Sequence, residues 1–321
     1  MTIPANCQDK FELIPYSPMM KKEWDKFITL SKNATFLLMR DYMDYHAERF
    51  SDLSLVFLRN GTIYALLPAC RYGDTIYSHA GLTYAGMIMN AKCTASGILD
   101  IFALLQDHLR QEGIRNLIYK PIPHIYHSLP AEEDLYALFR SGATLSARNI
   151  ASVISRRHRI KFRDIRKSGI RKATKSGLNI CESSDFKSFW KILSDNLDNK
   201  YGASPVHSID EIEKLSGLFP SNIRLFGAFL GNEMIAGVVI FLSSRVAHCQ
   251  YISANTTGKS MGALDLIFDR LINYIFADIE YFDFGTSNEN GGKILNSSLI
   301  YQKEGFGARA VCYDTYELNV F

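Results

Sequence analysis

The spacing of apolar positions along the chain divides it into strands and helices. In the first half it predicts a strand at residues 11–15 and two strands, 53–59 and 62–71, around Asn60-Gly61. Asn-Gly between apolar runs is the strongest short-range hairpin signal, because both positions must take positive φ. The remaining patterns predict a strand running into a helix at 34–50, a strand at 75–84, a helix at 96–112, a strand at 116–120 and a helix at 132–140.

The second half repeats this order of elements. It predicts a helix at 209–218 that begins with a capping box of Ser208 and Glu211, and strands 223–230 and 233–242 joined by Gly231-Asn232. The other predicted elements are strands at 178–182, 246–254 and 281–284, helices at 185–196 and 263–276, a short helix before Lys303 and final strands from 308. The repetition predicts an α/β fold of two tandem domains, each with a mostly antiparallel sheet and one parallel crossover.

Length and composition agree with two soluble domains, which we place at 1–155 and 178–321. The chain has 321 residues, 47% of them hydrophobic and 21% charged. No apolar run is long enough for a membrane helix, and the N-terminus has no signal-peptide pattern, so we expect a cytoplasmic protein without integral membrane contact. The sequence leaves the oligomeric state open, with a monomer slightly favoured.

The cysteines predict neither a metal site nor a disulfide framework. They are scattered, form no C-x-x-C pair, and lie away from histidines at finger spacing. The six are Cys7, Cys70, Cys93, Cys181, Cys249 and Cys312.

Residues 156–177, between the two domains, form the most basic stretch of the chain. Asp164 is its only acid, and Ile160, Phe162, Ile165 and Ile170 are spaced to give a helix one apolar stripe. One interpretation is a solvated basic linker helix. The other is an electrostatic footprint for the phosphates of a nucleotide, a diphosphate carrier or an RNA. Both stay open: the net charge of the whole chain, +3, implies no nucleic-acid partner by itself, but ten lysines and arginines against one acid in this stretch exceed what solubility requires.

A strand, a glycine-bearing loop and a helix follow one another at 246–276. Backbone N–H groups and a helix dipole at such a junction can bind an anion, and glycine allows it a close approach. The candidate anion-binding residues are Gly258, Lys259, Ser260, Met261, Gly262 and Ala263. They match neither a Walker A loop nor G-x-G-x-x-G.

These residues and the order of elements resemble the GNAT acyltransferase superfamily. In that family a loop of the form Arg/Gln-x-x-Gly-x-Gly/Ala binds the pyrophosphate of acyl-CoA. The corresponding stretch here is Lys259-Ser260-Met261-Gly262-Ala263-Leu264, with lysine in place of Arg/Gln and leucine in place of the small residue. The resemblance implies acyl-CoA, such as acetyl-CoA, as the co-substrate.

The duplication and the C-terminal motif resemble the Fem-type (FemAB/FemX-like) proteins, which have two GNAT-like domains. Those proteins carry an aspartate-glycine strand end, then leucine, then Phe-Lys-x-x-Phe/Trp-Gly. Here Asp283, Gly285, Leu299, Lys303 and Gly307 stand in that order, with Gln302 in place of phenylalanine. The resemblance implies aminoacyl-tRNA as the donor and a peptidoglycan precursor as the acceptor. The long helical arm of Fem proteins has no counterpart here.

Acyl transfer to an amine needs a charge-stabilising donor and a proton acceptor. The resemblance implies that Lys303 stabilises negative charge near the acyl group and that Tyr251 faces the substrate; Tyr251 has the equal alternative of a core aromatic. Glu289 is a candidate base, although loop glutamates are usually solvated, and Asp283 is interpreted as a structural acceptor. Mixed aromatic and ionisable residues in the first half form a candidate acceptor pocket: Arg40, Tyr42, His46, Tyr84, Lys120, His124 and Tyr126.

Three functional hypotheses follow. The first is an N-acyltransferase that transfers an acyl group from acyl-CoA to an amine on a small or cell-envelope-related acceptor. The second is a Fem-like, aminoacyl-tRNA-dependent transferase, and the third is a non-catalytic module that holds an anionic partner. We also expect Lys303 to point into a cleft beside the end of the strand carrying Tyr251, so that its replacement by alanine lowers turnover far more than stability.

Overall fold

The computed structural model describes residues 10–321. Its strands, numbered along the chain, are β1 (Phe11–Pro15), β2 (Ser51–Asp52), β3 (Leu55–Arg59), β4 (Thr62–Leu67), β5 (Cys70–Tyr72), β6 (Thr75–Tyr77), β7 (Ile88–Met89), β8 (Asn116–Tyr119), β9 (Thr144–Ser155), β10 (Asn179–Ser183), β11 (Ile223–Leu230), β12 (Glu233–Leu242), β13 (Val246–Ala254), β14 (Tyr281–Thr286), β15 (Asn288–Glu289), β16 (Ile294–Leu295) and β17 (Arg309–Asn319).

The α-helices are α1 (Lys21–Leu30), α2 (Arg40–Met43), α3 (Ala95–Gln111), α4 (Glu133–Arg140), α5 (Asp164–Lys175), α6 (Phe186–Tyr201), α7 (Ile209–Leu218), α8 (Thr256–Met261), α9 (Ala263–Arg270) and α10 (Ser297–Glu304). A π-helical turn, Leu271–Ile275, continues α9. Short 3-10 turns lie at Pro18–Met20, Phe36–Leu38, Asp44–Arg49, His124–Tyr126 and Asn290–Gly292. Within residues 10–321, no helix is long and apolar enough to cross a membrane.

The chain divides into two compact units: unit 1 comprises Met1–Arg148 with Tyr313–Phe321, and unit 2 comprises Asn149–Cys312. These bounds differ from the predicted domains in three ways. Residues 149–155, predicted to end the first domain, belong to unit 2. The predicted connection at 156–177 belongs to unit 2, because α5 packs on α9. The last residues belong to unit 1, because the end of β17 pairs with β8.

Unit 1 contains two rows of strands. One has the order β1-β3-β4-β7 and is antiparallel throughout. The other follows β17-β8-β6-β5-β2, in which β6 and β8 run parallel. The core of this unit packs α3 and α4 on the strands, and its largest fully buried side chains include Phe57, Phe102 and Tyr119.

Unit 2 contains the strand row β10-β11-β12-β13-β14-β9. The pair β13 and β14 runs parallel, whereas the other pairs of the row run antiparallel. Strand β12 is an unbroken apolar run and is buried along almost its whole length, which requires cover on both faces. Helices α6 and α9 both pack against it. The α/β class and the mostly antiparallel sheets with one parallel crossover are therefore confirmed.

Local signals predicted several elements correctly. The hairpin at Asn60-Gly61 forms with positive φ at both residues, and the Gly231-Asn232 hairpin joins β11 to β12. The predicted capping box of Ser208 opens α7, with both of its hydrogen bonds present.

Several predicted elements differ in the structure, among them the strand predicted at 62–71, which forms the two separate strands β4 and β5. The basic segment is helical only from Asp164, and residues 156–163 before it form no regular element. The stretch predicted as a strand and helix at 34–50 consists of short helical turns, and the strand predicted at 75–84 ends at Tyr77. Positive φ at His79 interrupts that strand, because an extended ladder cannot continue through it.

Candidate active site

A cleft of about 850 Å³ opens in unit 2. Its walls come from α5, α6, the end of β13, the corner between α8 and α9, and α10. Lys303 on α10 and the two glycines Gly258 and Gly262 all line it. The structure therefore brings the predicted catalytic lysine and the predicted donor-binding segment to one cavity.

Lys303 lies in the wall of this cleft with only 6% of its side chain exposed. Its Nζ donates to the carbonyl oxygens of Gly285 at 3.0 Å and Thr286 at 2.7 Å, both at the end of β14. Burial lowers the pKa of Lys303 to about 8, because desolvation disfavours the ammonium, and the nearby Asp283 carboxylate partly offsets this. The lysine is thus a cation close to its titration point at neutral pH.

Asp283 organises the strand end that binds this lysine. It is fully buried; one carboxylate oxygen accepts from the backbone N–H of Gly285 at 2.7 Å, and the other accepts from Nδ1 of His248 at 2.8 Å. Gly285 takes φ of 73°, which turns the chain just after the carboxylate. Asp283 therefore bonds to the backbone of the same turn whose carbonyl oxygens accept from Lys303.

The predicted anion-binding loop is folded into a helix, and this is a correction. Asn255 caps α8 by accepting from the Gly258 N–H at 2.8 Å, so this amide is already bonded within the protein. A Cβ at Gly258 would lie 2.3 Å from the Ile235 carbonyl oxygen, so this glycine permits close packing of α8 on β12. Lys259 donates from Nζ to Asn196 Oδ1 at 2.5 Å. Asn255 carried the local signal that our interpretation missed.

The neighbouring residues of the predicted segment divide between the cleft and its surroundings. Gly262 has φ of 74° and begins α9, and Ala263 follows it as a buried first residue of that helix; both line the cleft. Ser260 is exposed and donates to the Thr257 carbonyl oxygen at 2.8 Å. Met261 packs at the edge of the unit 2 core. Gly258, Lys259, Gly262 and Ala263 therefore line the cavity, whereas Ser260 and Met261 do not.

Helix α5 closes the cleft on another side by lying directly against α9. Arg166 pairs with Asp265 at 2.6 Å, and both side chains line the cavity. A Cβ at Gly169 would meet Asp265 Oδ2 at 1.9 Å, and one at Gly262 would meet the Gly169 carbonyl oxygen at 2.7 Å. Two glycines therefore permit the contact that presents Arg166 to the cleft.

The charged residues around the cavity are mostly basic. Arg166, Lys200, Lys259 and Lys303 line it, and Asp265 is the only acid among its lining residues within 10–321. Burial raises the pKa of Asp265, and Arg166 opposes that shift. A cavity with this charge distribution favours an anionic ligand.

The structure does not bring Tyr251 or Glu289 into the cleft. Tyr251 is buried against Trp190 in an edge-on contact, with ring centroids 5.0 Å apart, and its hydroxyl bonds Nδ1 of His207 at 2.5 Å. Burial raises the pKa of Tyr251 to about 12. The environment is therefore that of the core aromatic, the alternative that the sequence left open. Glu289 is exposed on the small β15–β16 hairpin, as expected of a solvated loop glutamate.

In unit 1, Arg40, a predicted acceptor-binding residue, is enclosed by other side chains of the protein. Its guanidinium pairs with Asp44 and Asp52, each at 2.5 Å, and lies 3.9 Å over the ring of Tyr16. Only 4% of the residue is exposed, because these partners enclose it. Tyr42 is likewise buried, in edge contact with other aromatic rings.

The other candidates of unit 1 are held in different ways. Tyr84 and Tyr126 lie together, with ring centroids 4.7 Å apart, and both are buried. Lys120 donates to the Leu82 carbonyl oxygen, and burial lowers the pKa of Lys120 to about 8. His46 is buried beside Phe50, and His124 is exposed on a 3-10 turn.

Two residues of the site were missed by the sequence interpretation. Asn196 donates to the Ser253 hydroxyl and the Ala254 carbonyl oxygen, each at 2.8 Å, and accepts from Lys259. His248 holds Asp283. The available signal was a polar residue on the apolar face of α6 and another within the apolar strand β13. Among residues 10–321, no cluster of three or more metal-ligand side chains occurs; Cys7 lies outside the described residues.

The family model described as an acetyltransferase (GNAT) domain matches residues 160–290. This range covers α5 through β15 and therefore most of the cleft. The matched range thus covers most of unit 2. No curated protein matches the sequence.

Several solved structures share the fold of almost the whole chain. FemX superimposes with a TM-score of 0.69 at 10% identity, covering 96% of this chain and 97% of that one. The structure of L-PGS from Bacillus licheniformis gives 0.56 at 12% identity over 94% of this chain and 91% of that one. A tandem GNAT protein from the clavulanic acid biosynthesis pathway gives 0.54 at 11% identity over 97% and 99%. The protein has a FemX-like, duplicated GNAT fold, as the sequence motifs predicted.

Proposed function

We propose that this protein is an N-acyltransferase that transfers an acyl group from acyl-CoA to an amine on a small or cell-envelope-related acceptor. The observation that carries the proposal is the single cleft lined by Lys303, the start of α9 and an excess of basic side chains. The negative charge of an activated acyl donor that carries a diphosphate complements the basic side chains of such a cavity. The GNAT match of residues 160–290 supports acyl transfer as the reaction class.

In this reaction the acceptor nitrogen attacks the thioester carbonyl carbon, a C–N bond forms, the C–S bond breaks and the thiol leaves with a proton. Negative charge develops on the carbonyl oxygen. The Lys303 ammonium is the donor we assign to that charge, since a fixed cation in a poorly solvated cleft stabilises it strongly. Arg166, Lys259 and the start of α9 are the groups we assign to the phosphates.

Calorimetric titration with acetyl-CoA and longer acyl-CoAs tests the donor. We expect binding, and we expect Lys259→Glu to weaken it, because the substitution places a carboxylate at the basic wall. The matched control is Lys191→Glu on the same unit. The Lys191 side chain is 77% exposed and pairs with Asp195, and neither residue lines the cleft. Absence of binding by every acyl-CoA at millimolar concentration would reject acyl-CoA as the donor.

A second candidate, a Fem-like transferase that uses aminoacyl-tRNA, is favoured by two observations. First, a pyrophosphate-binding loop was predicted where the structure has the helix α8, whose N-terminus is capped by Asn255. A basic groove of about 580 Å³ also lies beside α5, with Arg159, Lys161, Lys167 and Arg171 among its lining residues. This groove offers a path for a phosphate backbone, and the FemX-like fold agrees with the candidate.

Charged tRNA separates the two candidates. Phosphate contacts predict binding that weakens steeply with salt, roughly tenfold or more between low and physiological salt. Lys161→Glu with Arg171→Glu is expected to abolish that binding and to leave acyl-CoA binding unchanged. If tRNA binding is absent or insensitive to salt, the second candidate fails.

The same measurements also address a non-catalytic module that holds an anionic partner. A Lys303→Ala variant that retains the cellular role, together with a groove variant that loses it, would favour the module over both transferases.

A further inference from the structure

The end of β14 is connected to β13 by a buried side-chain bond. His248 lies on β13 and Asp283 on β14, in register in the parallel pair of these strands, and their side chains meet at 2.8 Å. Since an ionised carboxylate can only accept, Nδ1 of His248 donates in this bond. The second carboxylate oxygen accepts from the Gly285 N–H. Asp283 therefore links the sheet interior to the turn that follows the strand.

That turn is the part of the backbone that binds Lys303. The carbonyls of Gly285 and Thr286 accept from the lysine ammonium at 3.0 and 2.7 Å. Space around the turn is limited: a Cβ at Gly285 would lie 3.3 Å from Cε1 of His248. The histidine ring therefore packs against the same turn that its carboxylate partner binds.

We propose that Asp283 and His248 are positioning residues, which fix the Gly285–Thr286 carbonyls and thereby hold the Lys303 ammonium in the cleft. Asp283 does so through its two hydrogen bonds and through its negative charge, and His248 does so by orienting Asp283. The inference rests on the proposed function only for its catalytic consequence. Its structural part concerns the protonation and placement of one lysine and can be measured without any substrate.

Within the part of the chain that the structure describes, few titratable groups face this lysine. Asp283 of β14 and Cys249 of β13 are close enough to influence it, His248 lies behind the carboxylate, and Arg166 and Asp265 line the same cleft. Burial raises the pKa of the Cys249 thiol well above its ordinary value. Asp283 is therefore the negative charge that stabilises the ammonium at neutral pH, and its removal lowers the pKa of Lys303 further.

The test is a titration of Lys303 by NMR in protein labelled with ¹³C at lysine Cε, with the signal assigned by its loss in Lys303→Arg. In the native protein we expect the signal to titrate near pH 8. In Asp283→Asn we expect it to titrate at lower pH and to change its chemical shift. The matched control is Asp278→Asn, which removes a carboxylate whose side chain is 94% exposed on the same unit and is expected to leave the signal unchanged.

Turnover gives the second readout. With Asp283→Asn we expect kcat to fall about 10- to 100-fold, because a misplaced catalytic group costs rate, while KM for the donor stays unchanged. The alkaline limb of the pH profile is expected to move to lower pH with the lysine titration. If Asp283→Asn does not fold, His248→Gln is measured in its place. This variant retains the Asp283 carboxylate, and we expect its Lys303 signal to be shifted from that of the native protein.

The outcomes separate the two claims. A Lys303 titration that is the same in the native protein and in Asp283→Asn, or an unshifted Lys303 signal in His248→Gln, overturns the positioning role even if acyl transfer is measured. A titration that shifts as expected, in a protein that transfers no acyl group, supports the positioning role and rejects the proposed function instead.

Discussion

Lys303 makes a quantitative prediction about how stability depends on pH. In the unfolded chain this lysine has an ordinary pKa of 10.5, and in the folded protein its pKa is about 8. Between these values the unfolded state binds a proton that the folded state has released, so the free energy of unfolding rises with pH. A difference of this size corresponds to about 3 kcal/mol. The destabilisation is fully present below pH 8 and is removed by pH 10.5.

Lys303→Met isolates this contribution, since it removes the charge and retains an unbranched side chain. We expect the stability of the native protein minus that of the variant to rise by about 2 to 3 kcal/mol from pH 7 to pH 10. Lys120 has a similarly lowered pKa, but it is present in both proteins and cancels. Urea unfolding followed at several pH values measures the difference.

Lys191→Met is the control for the loss of one positive charge, because its ammonium is exposed. A difference between native protein and Lys303→Met that stays flat from pH 7 to pH 10 would refute the burial of the lysine. Lys303→Met also removes the two hydrogen bonds that Nζ donates to the Gly285 and Thr286 carbonyl oxygens.

Three further predictions concern packing and buried charge, each checked by equilibrium unfolding. Gly169→Ala is expected to destabilise unit 2 by about 1–3 kcal/mol, because its Cβ would lie 1.9 Å from a carboxylate oxygen, whereas Gly217→Ala in open helix is expected to be neutral or stabilising. Burial raises the pKa of the Asp134 carboxyl to about 7 in the folded protein, against 3.8 in the unfolded chain. The free energy of unfolding is therefore highest below pH 3.8 and falls as pH rises from 3.8 to 7. Asp134→Asn should therefore gain stability over the native protein between pH 4 and pH 8, and a constant difference would contradict this. Arg40→Ala is expected to cost about 1–3 kcal/mol, because it removes a buried guanidinium that pairs with Asp44 and Asp52, and a neutral effect would contradict the ion-pair cluster.

Local patterns in the sequence determined most of the fold. The hairpins at Asn60-Gly61 and Gly231-Asn232, the Ser208 capping box and the buried strand β12 each depend on residues a few positions apart, so the sequence displays their cause directly. The order of these elements also predicted the duplicated α/β architecture. Where a strong local signal was overlooked, as with Asn255 at the start of α8, the prediction failed although the information was present.

Tertiary structure alone decided the environment of the functional side chains. Lys303 and its carbonyl partners are 17 and 18 residues apart, and Arg166 and Asp265 are 99 apart, so no local pattern fixes their contacts. The same holds for Tyr251, whose hydroxyl meets His207 across 44 residues. The sequence showed which residues could be charged or could take part in a reaction. Whether each one lies in a cleft, in an ion-pair cluster or in the core depends on packing between distant segments, because burial and partners set the chemistry of a side chain.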